Sequence, residues 1–388
     1  MERSEKCIAK LDRMNKAIKH QEPDRVPISD FFWGGFEKRW RKELSLPDDA
    51  SPFHYYDLDW FVTLPNMDPI IQDFEIIKED EKEVVVKTGF RATLRKKFDA
   101  PMPEFSGWDI DCIEKLETFE FDDANDKRRF FEAGDNEISG VGDTFEPNTP
   151  AWIETVKKWR PDFPVYGSVI ECSECLTRLT GQQNAFLWMG MDPDRMGAAI
   201  NRIGQFYLDL CKAELEAGKG LLDGFVIWGD IAYQKSLFFH PDYWRKYFKP
   251  WVKAMVDECK KYNLPVIYHG CGNVNLIFED FIEIGIDAYN PLEVKADMDA
   301  FKLKQKYGNS MTYCGNGNMQ VWESGDENSI KKDVLRVLRA AENGGLIFQS
   351  DHSVTEHVSG KTYDFIVALL RKYGKYPLDL SELEREIN

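Results

Sequence analysis

The sequence predicts an α/β fold of the (β/α)8 TIM-barrel class, with an antiparallel β-meander inserted near residues 74–97. Three observations predict it. Short apolar runs alternate with stretches of helical periodicity, the pattern of parallel strands covered on their outer face. Eight such β units can be counted, at 26–32 and 59–64 and then in regular succession from Phe163. Polar and metal-ligating side chains collect just past the strand ends, where a barrel places its active site. A doubly wound open sheet is the alternative, but no Gly-x-Gly-x-x-Gly follows a strand and no Walker-type loop occurs, so nothing supports a nucleotide site.

Residues 1–20 carry Ile8, Leu11, Met14 and Ile18 at helical spacing. Glu22-Pro-Asp-Arg25 reads as a turn, Val26 to Phe32 as the first strand, and 35–44 as a helix. The second strand is expected within 57–64. Phe74 to Lys78, Glu83 to Lys87 and Arg91 to Arg95 are separated by charged or glycine-containing turns, which gives the meander. Residues 98–150 are acidic and aromatic, and are expected to form helices and long loops over one mouth. Six strands follow, at 163–170, 223–228, 266–268, 287–290, 311–314 and 346–349. Their helices are expected at 173–188 with 192–218, then 241–262, 274–284, 297–307, 326–343 and 360–373. The whole, residues 1–388, is expected to be one domain.

Composition removes several function classes. A hydrophobic share of 43% supplies a sizeable core. The formal net charge of −17 argues against nucleic acid or an anionic membrane as partner. The N-terminus lacks the apolar core of a signal peptide, and no run reaches the roughly 18 apolar residues of a spanning helix. Eight cysteines spread through the chain are not a disulfide scaffold, so a reducing cytoplasm is expected.

The strand ends carry the chemistry. Glu171, Cys172, Glu174 and Cys175 follow the third strand, and Asp230 and Tyr233 the fourth. His269, Cys271 and Asn273 follow the fifth, and Asn290 and Glu293 the sixth. Cys314, Asn316 and Asn318 lie at the seventh, and Ser350, Asp351 and His352 at the eighth. His269 and Cys271, two residues apart, point to one side and suit zinc better than a hard cation. His352 and Cys314 are the candidates to complete a site of three protein ligands and an open position. The alternative has Cys271 and Cys314 as small buried hydrophobes and His269 as a core histidine. Cys172-x-x-Cys175 is read as packing rather than a redox pair. Asp230 and Glu174 are candidate acid/base or orienting groups, with helix capping as the alternative. Trp33, Trp228 and Tyr233 are candidates for an aromatic pocket.

At these residues the chain resembles the uroporphyrinogen decarboxylase superfamily of (β/α)8 barrels. The likeness runs through Glu22-Pro-Asp-Arg-Val-Pro27, Ser173-Glu174 with Gly181, and Gly229-Asp230-Ile-Ala-Tyr233. It continues through His269-Gly-Cys271-Gly-Asn273, Asn290-Pro-Leu-Glu293 and Gly344 to His352. Decarboxylases of that superfamily carry an arginine-rich segment after the first strand, where this chain has Asp30-Phe-Phe-Trp-Gly-Gly-Phe36. Their aspartate after the second strand is replaced by Thr63-Leu-Pro-Asn66. An acidic, aromatic mouth repels a polycarboxylate. The resemblance therefore implies the corrinoid-dependent methyltransferase branch, whose His-x-Cys pair matches His269 and Cys271. That branch's further cysteine after the eighth strand falls on His352. The implied function is a zinc-dependent methyltransferase moving a methyl group between a small molecule, such as a methoxylated aromatic undergoing demethylation, and a corrinoid protein. The implied cofactors are zinc and a methylcobalamin or other corrinoid carried by that partner. Asp230, Glu174 and Tyr233 are the expected catalytic groups, and Trp33, Asn273, Asn290 and Trp228 the expected substrate contacts. The competing readings are a decarboxylase or lyase acting on a small substrate through Asp230 and Tyr233, and a non-catalytic corrinoid- or ligand-binding barrel.

Overall fold

The strands, in chain order, are β1 (Phe61–Val62), β2 (Glu75–Glu79), β3 (Glu83–Lys87), β4 (Ala92–Lys97), β5 (Glu104–Trp108), β6 (Val165–Ile170), β7 (Gly224–Trp228), β8 (Val266–His269), β9 (Ala288–Asn290), β10 (Thr312–Gly317) and β11 (Leu346–Ser350). They come from a computed structural model that describes residues 2–71, 75–100, 102–134 and 149–387. β1 and β6 to β11 make a seven-stranded parallel sheet in the order β1-β6-β7-β8-β9-β10-β11. β2 to β5 make a separate antiparallel sheet with neighbours in chain order. The fold is mixed α/β and TIM-barrel-like. Phe74 and residues 135–148, parts of the expected meander and of the expected mouth cover, lie outside the described residues.

The expected first strand, 26–32, differs from a regular strand. It makes isolated parallel bridges, Ile28 to Phe348 and Phe32 to Val354. Proline at 27 has no N–H to give, which breaks the ladder on that segment. The segment still reaches both edges of the curled sheet. The Phe348 amide donates to Pro27 O at 2.8 Å on the β11 side, and the Asp59 amide donates to Ile28 O at 2.8 Å beside β1. The second strand is shorter than expected, holding only Phe61 and Val62 before Pro65.

Helices match their periodicity with local exceptions. The stretch 173–188 breaks at Gly181, whose φ of +77° ends the helix Cys172–Thr180 and opens Gln182–Met191. A Cβ there would lie 3.0 Å from the Trp108 ring, so glycine serves both the turn and the close approach. The helix expected from 274 begins only at Phe278, because Asn273 and Asn275 form a side-chain turn. No helix among the described residues is long and apolar enough to cross a membrane.

The sheet interior shows how the site is positioned. Trp60, Tyr166, Val226, Ile267, Ala288, Cys314 and Ile347 form a buried apolar layer inside the curl. Met14 and Ala17 of the helix Glu5–Ile18 pack against it from the other end. Side chains alternate along a strand, so the next inward position lies two residues on. That step turns Val226, Ile267, Ala288 and Ile347 into Trp228, His269, Asn290 and Gln349. The register aligns Trp228 with His269 and His269 with Asn290. One apolar layer is followed by one polar layer.

Beneath that layer Asp59 is fully buried and joins three chain segments. Its carboxylate takes Arg13 Nη1 at 2.5 Å, Arg25 at 2.6 and 2.9 Å, and the Ile28 amide at 2.6 Å. The Pro-Asp-Arg-Val-Pro27 motif is thus part of a clamp that fastens segment 26–32 beside β1.

Candidate active site

His269 ends β8 in the polar layer, and Cys271 follows in the loop of small residues. Asn290 Nδ2 donates to the Cys314 backbone carbonyl at 3.3 Å and to Gln349 Oε1 at 2.8 Å. A carbonyl only accepts, so the Asn290 amide is oriented with Oδ1 toward His269 Nδ1, 2.5 Å away. Nδ1 must therefore carry the imidazole proton, which leaves the lone pair on Nε2. Burial lowers the pKa of His269, although the Asp230 charge and the Asn290 bond pull it back up. A neutral imidazole with a free Nε2 is the form that binds a metal.

Cys271 Sγ lies 4.0 Å from His269 Nε2. Ligand atoms of Asp230, His269 and Cys271 all lie within 4.8 Å of one another, and so do those of Cys271, Glu293 and His352. Cys271 thus belongs to two overlapping donor sets. Asp230 is exposed and accepts the Cys271 amide at 2.8 Å, while Glu293 is buried and accepts the Gly272 amide at 3.2 Å. Burial pushes the Cys271 thiol well up, with the Asp230 and Glu293 carboxylates adding to it. A bound cation would favour the thiolate against that shift.

Cys314 lies elsewhere. It is fully buried in the apolar layer, and its Sγ is 2.8 Å from Gln349 Oε1 and 3.4 Å from Asn290 Nδ2. Among the described residues it joins neither donor set. His352 is the strand-end candidate that the geometry brings in. Asn290, expected to touch substrate, instead spends its amide on His269, Gln349 and Cys314.

Two cavities meet at His269. A chamber of about 30 Å³ is lined by Asp30, His269, Cys271, Asn290, Ser350 and His352, among others. A cleft of about 410 Å³ opens beside it, walled by Phe31, Trp33, Phe53, Phe61, Leu64 and Trp228. Trp228 stands 4.6 Å from His269 between ring centroids, and Trp33 meets His352 edge-on at 5.6 Å. Glu37, Glu174, Arg178 and Asp230 are the charged groups of the cleft wall. Glu174 accepts Arg178 Nε at 3.1 Å and the Asp230 amide at 3.3 Å. Burial raises its carboxyl, with Arg178 working against that rise.

Tyr233 and Asn273 are not in the cleft wall. Tyr233 stacks on Phe238 and is about half exposed, carried outward by the turn that the Ala232–Leu237 bridge closes. Asn273 accepts the Asn275 amide at 3.1 Å and lines a separate polar groove. Cys172 and Cys175 are fully buried core thiols.

Sequence reading missed four members of this site. Arg178 was signalled by its place four residues after Glu174 on one helix. Gln349 was signalled by its inward position two residues past Ile347. Asp30 had no local signal, since its partners come from 350 and 363. Glu293 was noted at its strand end but not as a metal donor.

Asn290→Ala frees His269 Nδ1, and zinc affinity is expected to fall roughly 10–100-fold, as for other partners behind a metal-binding histidine. Competition with a chromophoric chelator measures it; unchanged affinity would show that Asn290 does not orient the ring.

Residues 142–373 match the family model described as uroporphyrinogen decarboxylase (URO-D). The chain is 25% identical over 187 residues to the uroporphyrinogen decarboxylase of Bacillus subtilis (strain 168), covering 47% of this chain and 48% of that protein. It is 23% identical over 185 residues to that of Campylobacter jejuni subsp. jejuni (strain 81-176), covering 47% and 50%. The match thus spans about half the length of these curated relatives. Among solved structures, a methyltransferase from Methanosarcina mazei superposes with a TM-score of 0.63 at 17% identity, covering 94% of this chain and 98% of that one. That likeness is one of fold.

Proposed function

The chain belongs to the uroporphyrinogen decarboxylase (URO-D) family, and on that premise we propose that it is a zinc-dependent methyltransferase. In this reading it moves a methyl group between a small molecule, such as a methoxylated aromatic, and a corrinoid carried by a partner protein. The TIM-barrel-like sheet is read as a full eight-membered (β/α)8 barrel, with segment 26–32 as its first member. The observation that carries the proposal is the presentation of His269 Nε2 beside Cys271 Sγ, with carboxylate and imidazole donors in reach, at the wall of an aromatic cleft.

The donor set fits zinc: a neutral imidazole with its tautomer fixed, a thiol, and a choice of Asp230, Glu293 or His352. Held there, zinc would supply Lewis acidity toward an oxygen of the substrate. The rest is work for the chain's own side chains. Phe31, Trp33, Phe61 and Trp228 hold an aromatic ring and exclude water. In demethylation the methyl–oxygen bond would break with both electrons left on oxygen, and a corrinoid carried by the partner would supply the nucleophile that accepts the methyl group. Asp230 or Glu174, linked through the Asp230 amide, orients that oxygen or gives it its proton, the Glu174 carboxyl being raised by burial against its ion pair with Arg178.

Charge separates this reading from porphyrinogen decarboxylation. The cleft wall carries the acids Glu37, Glu174 and Asp230 against one base, Arg178, which is already paired. Such a wall disfavours a substrate with many carboxylates. A decarboxylase or lyase of a small substrate is the second reading, supported by the decarboxylase relatives themselves.

The test is an anaerobic assay of the purified protein with methoxylated benzoates and reduced cobalamin, alongside metal analysis by mass spectrometry. Zinc near one equivalent, methylcobalamin formation and phenol release are expected. Carbon dioxide release from a small acid with no corrinoid present would replace this reading with the second.

A further inference from the structure

Asp30 lies in the segment that reaches both edges of the sheet, and it is buried on the wall of the small chamber shared by His269, Cys271 and His352. Tyr363 Oη donates to its Oδ2 at 2.9 Å, and the Ser350 amide donates to its Oδ1 at 3.1 Å. Ser350 Oγ also contacts Asp30 Oδ1, and the same Oγ contacts the backbone carbonyl of His352. A serine hydroxyl has one proton to give. Both contacts are made at once when Asp30 donates to Ser350 Oγ and Ser350 donates to the His352 carbonyl. Burial, which pushes the Asp30 carboxyl up to about 7, is compatible with that arrangement.

Little else holds the His352 ring. Its Nδ1 stands 3.4 Å from Ser353 O, and Trp33 packs against it edge-on. Neighbouring Asp351 is pinned from the other side by the Val294 and Met319 amides at 3.0 and 2.9 Å. The turn 350–352 is therefore anchored on two sides, and Asp30 supplies the side that faces the chamber.

Resting on the zinc reading above, we infer that Asp30 is a positioning residue: acting through Ser350, it fixes the backbone at His352 and so aims that imidazole into the metal-binding chamber. It does not itself ligate. Its role links the first strand-like segment to the last strand, so the donor set is complete only where the sheet edges meet.

The experiment is zinc affinity of the full chain by chelator competition, for wild type, Asp30→Ala, Asp30→Asn and Ser350→Ala, with thermal melting of each. Asp30→Ala and Ser350→Ala are expected to bind zinc roughly 10–100-fold more weakly. Asp30→Asn is expected to fall between these and wild type, because its amide nitrogen can donate to Ser350 Oγ but cannot accept from the Ser350 amide. Should Asp30→Ala fail to fold, the milder Ser350→Ala decides. Wild-type zinc binding with unchanged affinity in a folded Ser350→Ala overturns this inference and leaves the function reading intact. A wild-type chain that binds no zinc overturns both.

Discussion

Replacing His269 by alanine is expected to leave purified protein with far less than one equivalent of zinc and to slow methyl transfer by about a thousandfold or more. The magnitude follows from losing the several kcal/mol that a Lewis acid contributes to a transition state, at about 1.4 kcal/mol per factor of ten. Asn290 and Gln349 cannot take over from Nε2, being committed to each other, and the remaining set of Cys271, Glu293 and His352 lacks the β8 imidazole. His357→Ala is the control: that side chain is exposed and belongs to neither donor set. Mass-spectrometric zinc analysis and the rate of methylcobalamin formation read both outcomes. Full zinc occupancy with wild-type turnover in His269→Ala would remove His269 from the zinc site, and wild-type turnover in metal-free protein would remove zinc from the mechanism.

Asp59→Ala is expected to destabilise the fold by about 3–5 kcal/mol, the typical effect of removing one partner from a buried ion pair. The loss leaves the buried guanidiniums of Arg13 and Arg25 short of their shared carboxylate and the Ile28 amide unpartnered. Against a total stability of about 5–15 kcal/mol, that is a large fraction. Arg13 keeps Asp24, which limits the damage on one side. A lower denaturant midpoint at unchanged slope is the expected record. The exposed pair Lys253–Asp257 is the comparison, with an expected effect below about 1 kcal/mol when Asp257 becomes alanine. Equal effects at the two sites would show that the clamp carries no special load.

Much of the fold was legible because its signals are local. The strands from Val165 onward lie inside their expected limits or within a residue or two of them, apart from β10, which runs on to Gly317. Apolar runs bounded by helices leave few other arrangements. Segment 26–32 was legible as a barrel member but not as a broken one, since Pro27 removes a donor without disturbing the apolar pattern. The site was legible where chemistry and periodicity coincide, at His269 and Cys271. Cys314 drew attention as a thiol near a strand end, but β10 runs on past it and its side chain packs into the apolar layer. Tyr233 drew attention as a polar aromatic near Asp230, yet a short bridged turn swings it away. Asp30 and Ser350 are 320 positions apart, and no local pattern announces such a pair.

Segment 26–32 has a mechanical side as well. It is the seam of the sheet, tied by isolated bridges rather than a continuous ladder, and fastened from below by Asp59. The same few residues, Asp30 to Trp33, supply one wall of the aromatic cleft and one anchor of the turn at His352. Strands β6 to β8, by contrast, are paired along their lengths and hold His269 rigidly. The cleft therefore has one stiff jaw and one compliant jaw. A ligand that presses on the Phe31 and Trp33 side works against the seam, and the turn that carries the His352 imidazole is attached to that same seam. Ligand shape and the set of the second imidazole are in this way coupled through a single stretch of chain.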